Sequence, residues 1–161
     1  MTMLPILTLQ IRLAADAVYV RQIARDIAES LGFNGNDQTR IATAVSEIAR
    51  NAWQYANGGE VSFVVVPGEV PVFQIRVWDA GPGITKAEYT PKHEDASGAG
   101  KGLTGASAIM DTFHVETAPG VGTAVIMGKV LPPRAVDWDA SSLARLAAEI
   151  AERPPQTLSE E

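Results

Sequence analysis

Apolar and polar residues alternate at the start of the chain, where Leu7, Leu9, Ile11 and Leu13 interleave with Thr8, Gln10 and Arg12. A period of two predicts a half-buried strand. The spacing then changes. Val20, Ile23, Ala24, Ile27, Ala28 and Leu31 recur at three and four residues, which predicts an amphipathic helix. Asp16 is its candidate N-cap and Gly32 its candidate C′ residue. After a turn at Phe33–Gly35, a second helix is expected with Asn36 as N-cap. Ile41, Ala44, Val45, Ile48 and Ala52 form its apolar stripe. Two strands follow, Val61–Val66 and Val72–Asp79, the latter with Phe73, Ile75 and Val77 on one face. A polar stretch over 85–99 reads as a loop, and 103–111 as a short helix. Phe113–Thr117 and Thr123–Val130 read as a hairpin around Pro119-Gly120.

Pro132-Pro133 marks a boundary. Beyond it Leu143, Leu146, Ala147 and Ile150 repeat at helical spacing. They predict a short amphipathic helix that starts at Asp139 or Ser141 and stops at Pro154-Pro155. Residues 1–131 thus read as one domain and 132–161 as a Pro-flanked extension. The order β-α-α-β-β-loop-α-β-β is not a strict alternation. It favours one mixed, mostly antiparallel sheet with helices on one face, an α/β two-layer sandwich, over a parallel doubly wound sheet.

Composition narrows the partners. The 161 residues suit a single domain. A net charge of −6, half of it in the last 30 residues, argues against nucleic acid. The chain has no Cys and two His, at His93 and His114, which removes disulfides, thiolate chemistry and His/Cys zinc sites. The N-terminus lacks a basic n-region, and no apolar run approaches the ~18 residues that span a bilayer. A cytoplasmic protein without a membrane partner is expected.

Three short motifs carry candidate chemistry. Glu47 and Asn51 lie four residues apart, on one face of the second helix. A carboxylate there can take a proton from a hydroxyl, and an amide oxygen can hold a hard cation. Exposed polar pairs at this spacing are common, but Val45, Ile48 and Ala52 place this one beside the apolar stripe. Asp79-Ala-Gly81-Pro-Gly83-Ile84 ends a strand. Its glycines allow close approach of backbone to a ligand, and Asp79 can accept from an exocyclic amine; the plainer reading is an ordinary turn. Gly98-Ala-Gly100-Lys101-Gly102-Leu103-Thr104-Gly105 opens a helix, where successive N–H groups favour phosphate. It is not a Walker A loop, because Gly102 stands where Ser or Thr belongs.

The order E-x-x-x-N, D-x-G-x-G, a glycine-rich lid and then G-x-G-T, at Gly120, Gly122 and Thr123, resembles the GHKL ATPases. Within that superfamily the chain resembles the anti-sigma and switch-protein serine/threonine kinases of the RsbT and RsbW types. The stretches Asp37–Val61 and Gly100–Phe113 favour the RsbT type. The resemblance implies ATP and Mg²⁺ as cofactors. It implies Glu47 as general base, Asn51 as Mg²⁺ ligand and Asp79 as acceptor for the adenine amino group. Gly83 and Thr123 would complete the adenine pocket, and Gly81 is a further cofactor-binding candidate. Gly100, Lys101, Gly102, Leu103 and Gly105 would cover the phosphates.

The resemblance also implies a STAS-domain protein as substrate, phosphorylated on Ser or Thr, with a PPM-type phosphatase or a sigma factor as further partner. A homodimer is left open. Three readings follow. One is a partner-switching serine/threonine kinase in stress or sigma-factor signalling. The second is an anti-sigma or nucleotide-gated module that sequesters its partner with little catalysis. The third, a detached histidine-kinase catalytic domain, is disfavoured because neither His93 nor His114 falls on a long helix. Arg50 is a candidate phosphate or partner contact, and Trp53 is expected to pack.

Overall fold

The computed structural model describes residues 2–81, 105–118 and 120–153. Strand β1 (Leu4–Ile11) leads into helices α1 (Ala14–Ser30) and α2 (Gly35–Ala56). Strands β2 (Gly59–Val66) and β3 (Val72–Asp79) follow, then β4 (Thr112–Ala118), β5 (Gly122–Val130) and helix α3 (Ala140–Glu152). A further helical stretch covers 105–109.

The five strands form one sheet in the order β1-β2-β3-β5-β4, and every neighbouring pair is antiparallel. The element order alone leaves room for a parallel pair, and the topology removes it. Two helices lie between β1 and β2, so the chain reverses an odd number of times and the strands run opposite ways. The segment from β3 to β4 returns β4 parallel to β3, but β5 inserts between them and pairs antiparallel with both.

The helices cover one face of the sheet. Val20, Ile23, Ala24, Ile27 and Ala28 of α1 are buried, as are Ile41, Ala44, Val45, Ile48 and Ala52 of α2. They meet Val61, Phe63 and Val65 of β2 and Phe73, Ile75 and Val77 of β3. Phe73 lies between Phe33 and Phe63, with ring centroids 6.2 Å from each, inside the range where aromatic pairs attract. On the other face Trp78 is 43% exposed and Arg76 is exposed as well.

Several boundaries move by a few residues. Leu13 leaves the strand to become the N-cap position of α1 and is 65% exposed. Asp16 therefore caps from inside the helix: its Oδ2 accepts from the N–H groups of Arg12 and Leu13 at 2.8 and 2.9 Å. Helix α2 is capped by Asn34, not Asn36, because Asn34 Oδ1 accepts from Asp37 N–H at 2.8 Å. Gly32, at φ +98°, holds the left-handed turn between the two helices.

The extension folds back. Asp139 caps α3 through Ser142 N–H at 2.8 Å, and Leu143, Leu146 and Ile150 join the same core. Helix α3 packs on β1 and α1, and Arg153 reaches Asp26 at 3.3 Å. Among the described residues no helix is long and apolar enough to cross a membrane.

Candidate functional site

The end of β3 carries Asp79 on the helix-facing side, and Trp78 on the open side, as a two-residue repeat requires. Cross-strand pairing places Asp79 opposite Thr123, and Thr123 opposite Thr117. The three side chains form one row over β3, β5 and β4. Thr123 is buried, and its Oγ1 lies 3.1 Å from Thr117 Oγ1. Asp79 Oδ1 accepts from Gly81 N–H at 3.0 Å. Burial pushes the Asp79 carboxyl above the ordinary carboxylate range, while N–H groups of Gly81 and Thr123 pull it back.

Glycines let three chain segments converge here. A Cβ on Gly81 would sit 2.3 Å from Ala56 Cβ, so the Asp79 turn rests directly on the C-terminal end of α2. Gly122 has φ +152°, and a Cβ there would lie 2.1 Å from the Asp79 carbonyl oxygen. No larger residue permits either approach.

From that contact, α2 runs back past the other candidate residues. Asn51 precedes Ala56 by five residues and Glu47 by nine, so they lie about 7 and 13 Å back along the axis at 1.5 Å per residue. The Asn51 amide nitrogen is buried and has no hydrogen-bond partner among the described residues. A buried amide without a partner is costly, which suits a group that a ligand completes. Glu47 is partly exposed, and its Oε2 accepts from Arg50 Nη2. Arg50 thus pairs with Glu47, a contact the spacing i, i+3 could have suggested. Trp53, expected to pack, is 38% exposed.

The helical stretch at 105–109 is tied to the sheet at its far end. Lys129 Nζ donates to the Ile109 carbonyl at 3.2 Å, with Asp111 at 3.7 Å. Asp111 in turn accepts from Val130 N–H at 2.8 Å. Gly105 begins this stretch in open space: a Cβ added there would meet nothing within 4 Å among the described residues. Gly83, Gly100, Lys101, Gly102 and Leu103 lie outside the described residues.

Among the described residues no cluster of three or more His, Asp or Glu could cage a metal. A Mg²⁺ ion does not need one, because it binds through one or two protein ligands together with phosphate oxygens and water. Only the amide oxygen of Asn51 would serve as such a ligand; its unpartnered Nδ2 is a hydrogen-bond donor and suits an anionic oxygen. A cavity of about 450 Å³ opens elsewhere, lined by Val65, Pro71, Leu131 and Trp138. It lies at the opposite end of β3 from Asp79 and holds none of the candidate residues.

Residues 11–129 match the family described as histidine kinase-like ATPase domain. The serine/threonine-protein kinase RsbT of Bacillus subtilis (strain 168) is 36% identical over 113 residues, which cover 68% of this chain and 85% of RsbT. Two solved structures are similar at lower identity. The histidine kinase domain from the Erythrobacter litoralis EL346 blue-light activated histidine kinase is 20% identical, with a TM-score of 0.47, over 70% of this chain and 63% of that one. A second structure of the Erythrobacter litoralis EL346 blue-light activated histidine kinase is 22% identical, with a TM-score of 0.48, over 71% of this chain and 41% of that one. The chain therefore spans less than two thirds of the length of either histidine kinase structure.

Proposed function

The chain belongs to the histidine kinase-like ATPase domain family, and from that premise we propose that it is an ATP- and Mg²⁺-dependent serine/threonine protein kinase. Its substrate is a small STAS-domain protein. It acts in the cytoplasm as a partner-switching regulator of stress or sigma-factor signalling, with a PPM-type phosphatase as a further partner. The observation that carries this reading is the single helix α2, which rests on the Asp79 turn at one end and presents Asn51 and then Glu47 at increasing distance from it. One rigid element thereby sets the separation between a purine-recognising acid and a proton acceptor.

Each residue has a role in this reading. Asp79 would accept from the adenine amino group, with Gly83 and Thr123 as the other adenine contacts and Gly81 as a further nucleotide-binding residue. Asn51 would hold Mg²⁺ through its amide oxygen. Gly100, Lys101, Gly102, Leu103 and Gly105 would be the residues that meet the phosphates, as a glycine-rich sequence with one Lys suits. ATP supplies the phosphoryl group when bound. Glu47 takes the proton of the acceptor Ser or Thr hydroxyl.

Radiolabelled phosphotransfer to candidate STAS proteins from the same genome tests the proposal. Label should enter the partner with the wild-type chain and fall to background with Glu47→Ala and Asn51→Ala. A stable one-to-one complex with no label incorporated would overturn it in favour of sequestration.

A further inference from the structure

The cavity of about 450 Å³ at the far end of β3 is built by two segments distant in sequence. One is the turn between β2 and β3, with Glu69 and Pro71. The other is the stretch that leads from β5 into α3 and ends at Trp138. The Leu131 N–H donates to the Pro71 carbonyl at 3.0 Å and ties the two together. The second segment lies beyond residues 11–129, the part that matches the ATPase family. Much of the wall is therefore supplied from outside the family domain. The volume falls within the range of about 300–1,000 Å³ usual for small-molecule sites. Val65 and Leu131, both buried, contribute to an apolar lining that Val130 extends.

The polar groups of the lining are unmatched among themselves. Trp138 Nε1 is buried and has no hydrogen-bond partner among the described residues, and a buried donor left unpaired is costly. The Arg134 guanidinium lies over the same ring, with Cζ 3.4 Å from the centroid. It forms no ion pair among the described residues. Two donors at one indole thus lack an acceptor. An anionic oxygen at the ring edge would serve both, once the exposed Arg134 side chain shifts to admit it. Glu69 and Asp137 also line the cavity, and neither has an ion-pair partner among the described residues. Two carboxylates against one guanidinium disfavour a simple anion, which would add a third negative charge. A molecule that carries a carboxylate and an ammonium on one carbon, with an apolar remainder, answers every part of the lining. We propose that the cavity binds a free apolar α-amino acid of the size of leucine or phenylalanine. Its carboxylate meets Arg134 and Trp138 Nε1. Its ammonium meets Glu69 and Asp137, and its side chain lies against Val65, Val130 and Leu131.

Isothermal titration of the full chain, without nucleotide, tests this with L-leucine and L-phenylalanine as the probes. At least one of them should saturate a single site. The amide of the tighter binder lacks the carboxylate, and its N-acetyl derivative lacks the ammonium. Each should bind roughly 10- to 100-fold more weakly, the worth of one charge-assisted hydrogen bond. Arg134→Gln should weaken the parent amino acid by a similar factor, and so should Glu69→Gln combined with Asp137→Asn. Trp138→Phe keeps an aromatic ring and loses the N–H, so its loss should be smaller, roughly threefold to tenfold. Circular dichroism establishes that each variant is folded. If Trp138→Phe is not, the variants at Glu69, Arg134 and Asp137 decide, because those side chains are exposed. Saturation by neither amino acid would overturn the proposal. So would an amide or N-acetyl derivative that binds as tightly as its parent, or an affinity unchanged in either charge variant.

Discussion

Asp79 is half-buried at a strand end, where two backbone N–H groups only partly offset the burial of its carboxylate. Its proton is therefore held more tightly in the folded chain than in the unfolded one. The folded state binds the extra proton, so stability falls as pH rises from the ordinary carboxylate range through the raised folded value. Asp79→Asn removes this loss. Thermal melts should show the variant at least as stable as wild type at pH 7, with the difference vanishing in acid. The same variant should bind ATP roughly 10- to 100-fold more weakly, the worth of one charge-assisted hydrogen bond, measured by calorimetry. Tighter binding by the variant would remove Asp79 from the adenine pocket. Glu47 should behave in the opposite way. Glu47→Gln should leave ATP affinity within about twofold and lower the phosphotransfer rate by about 10²–10⁴, read in a single-turnover assay.

At the scale of elements, α2 owes its placement to Gly81. A Gly81→Ala side chain would collide with Ala56 and lever the Asp79 turn away from the helix. Crowding of this kind costs about 1–3 kcal/mol, and ATP binding should fall with stability in urea melts. The N-terminal end of α2 shows what was legible in sequence. The apolar stripe from Ile41 to Ala52 reads correctly because burial repeats with the helical period. The cap does not, because Asn34 and Asn36 are both good caps, and only the backbone of the Gly32 turn selects between them. Asn34→Ala should cost about 1 kcal/mol, whereas Asn36→Ala should stay within about 0.5 kcal/mol. The pairing of Arg50 with Glu47 was within reach of the i, i+3 spacing. The contact of Ala56 with Gly81, residues 25 positions apart, was not, since no local pattern encodes a tertiary approach.

At the scale of the whole molecule, the extension belongs to the core. Leu143, Leu146 and Ile150 are as buried as the residues of α1 they meet. Leu143→Ala should cost about 2–5 kcal/mol, comparable with a substitution inside α1 and measurable by denaturant unfolding. Ser141→Ala, exposed on the same helix, should change little. The period of the apolar residues reveals this helix in the sequence, and the turns reveal both strand hairpins. The insertion of β5 between β3 and β4 is not visible there, because strand order is decided by long-range pairing. One further consequence concerns light. Trp78 and Asp79 are adjacent in sequence and stand on opposite faces of β3, so the floor beneath the candidate pocket is a single strand thick. Indole emission responds to its surroundings, and Trp78 is half open to water just behind that floor. With Trp53 and Trp138 each replaced by Phe, so that Trp78 is the one indole left of the three in the chain, a shift in its emission on addition of ATP is the expected dye-free optical signal of occupancy.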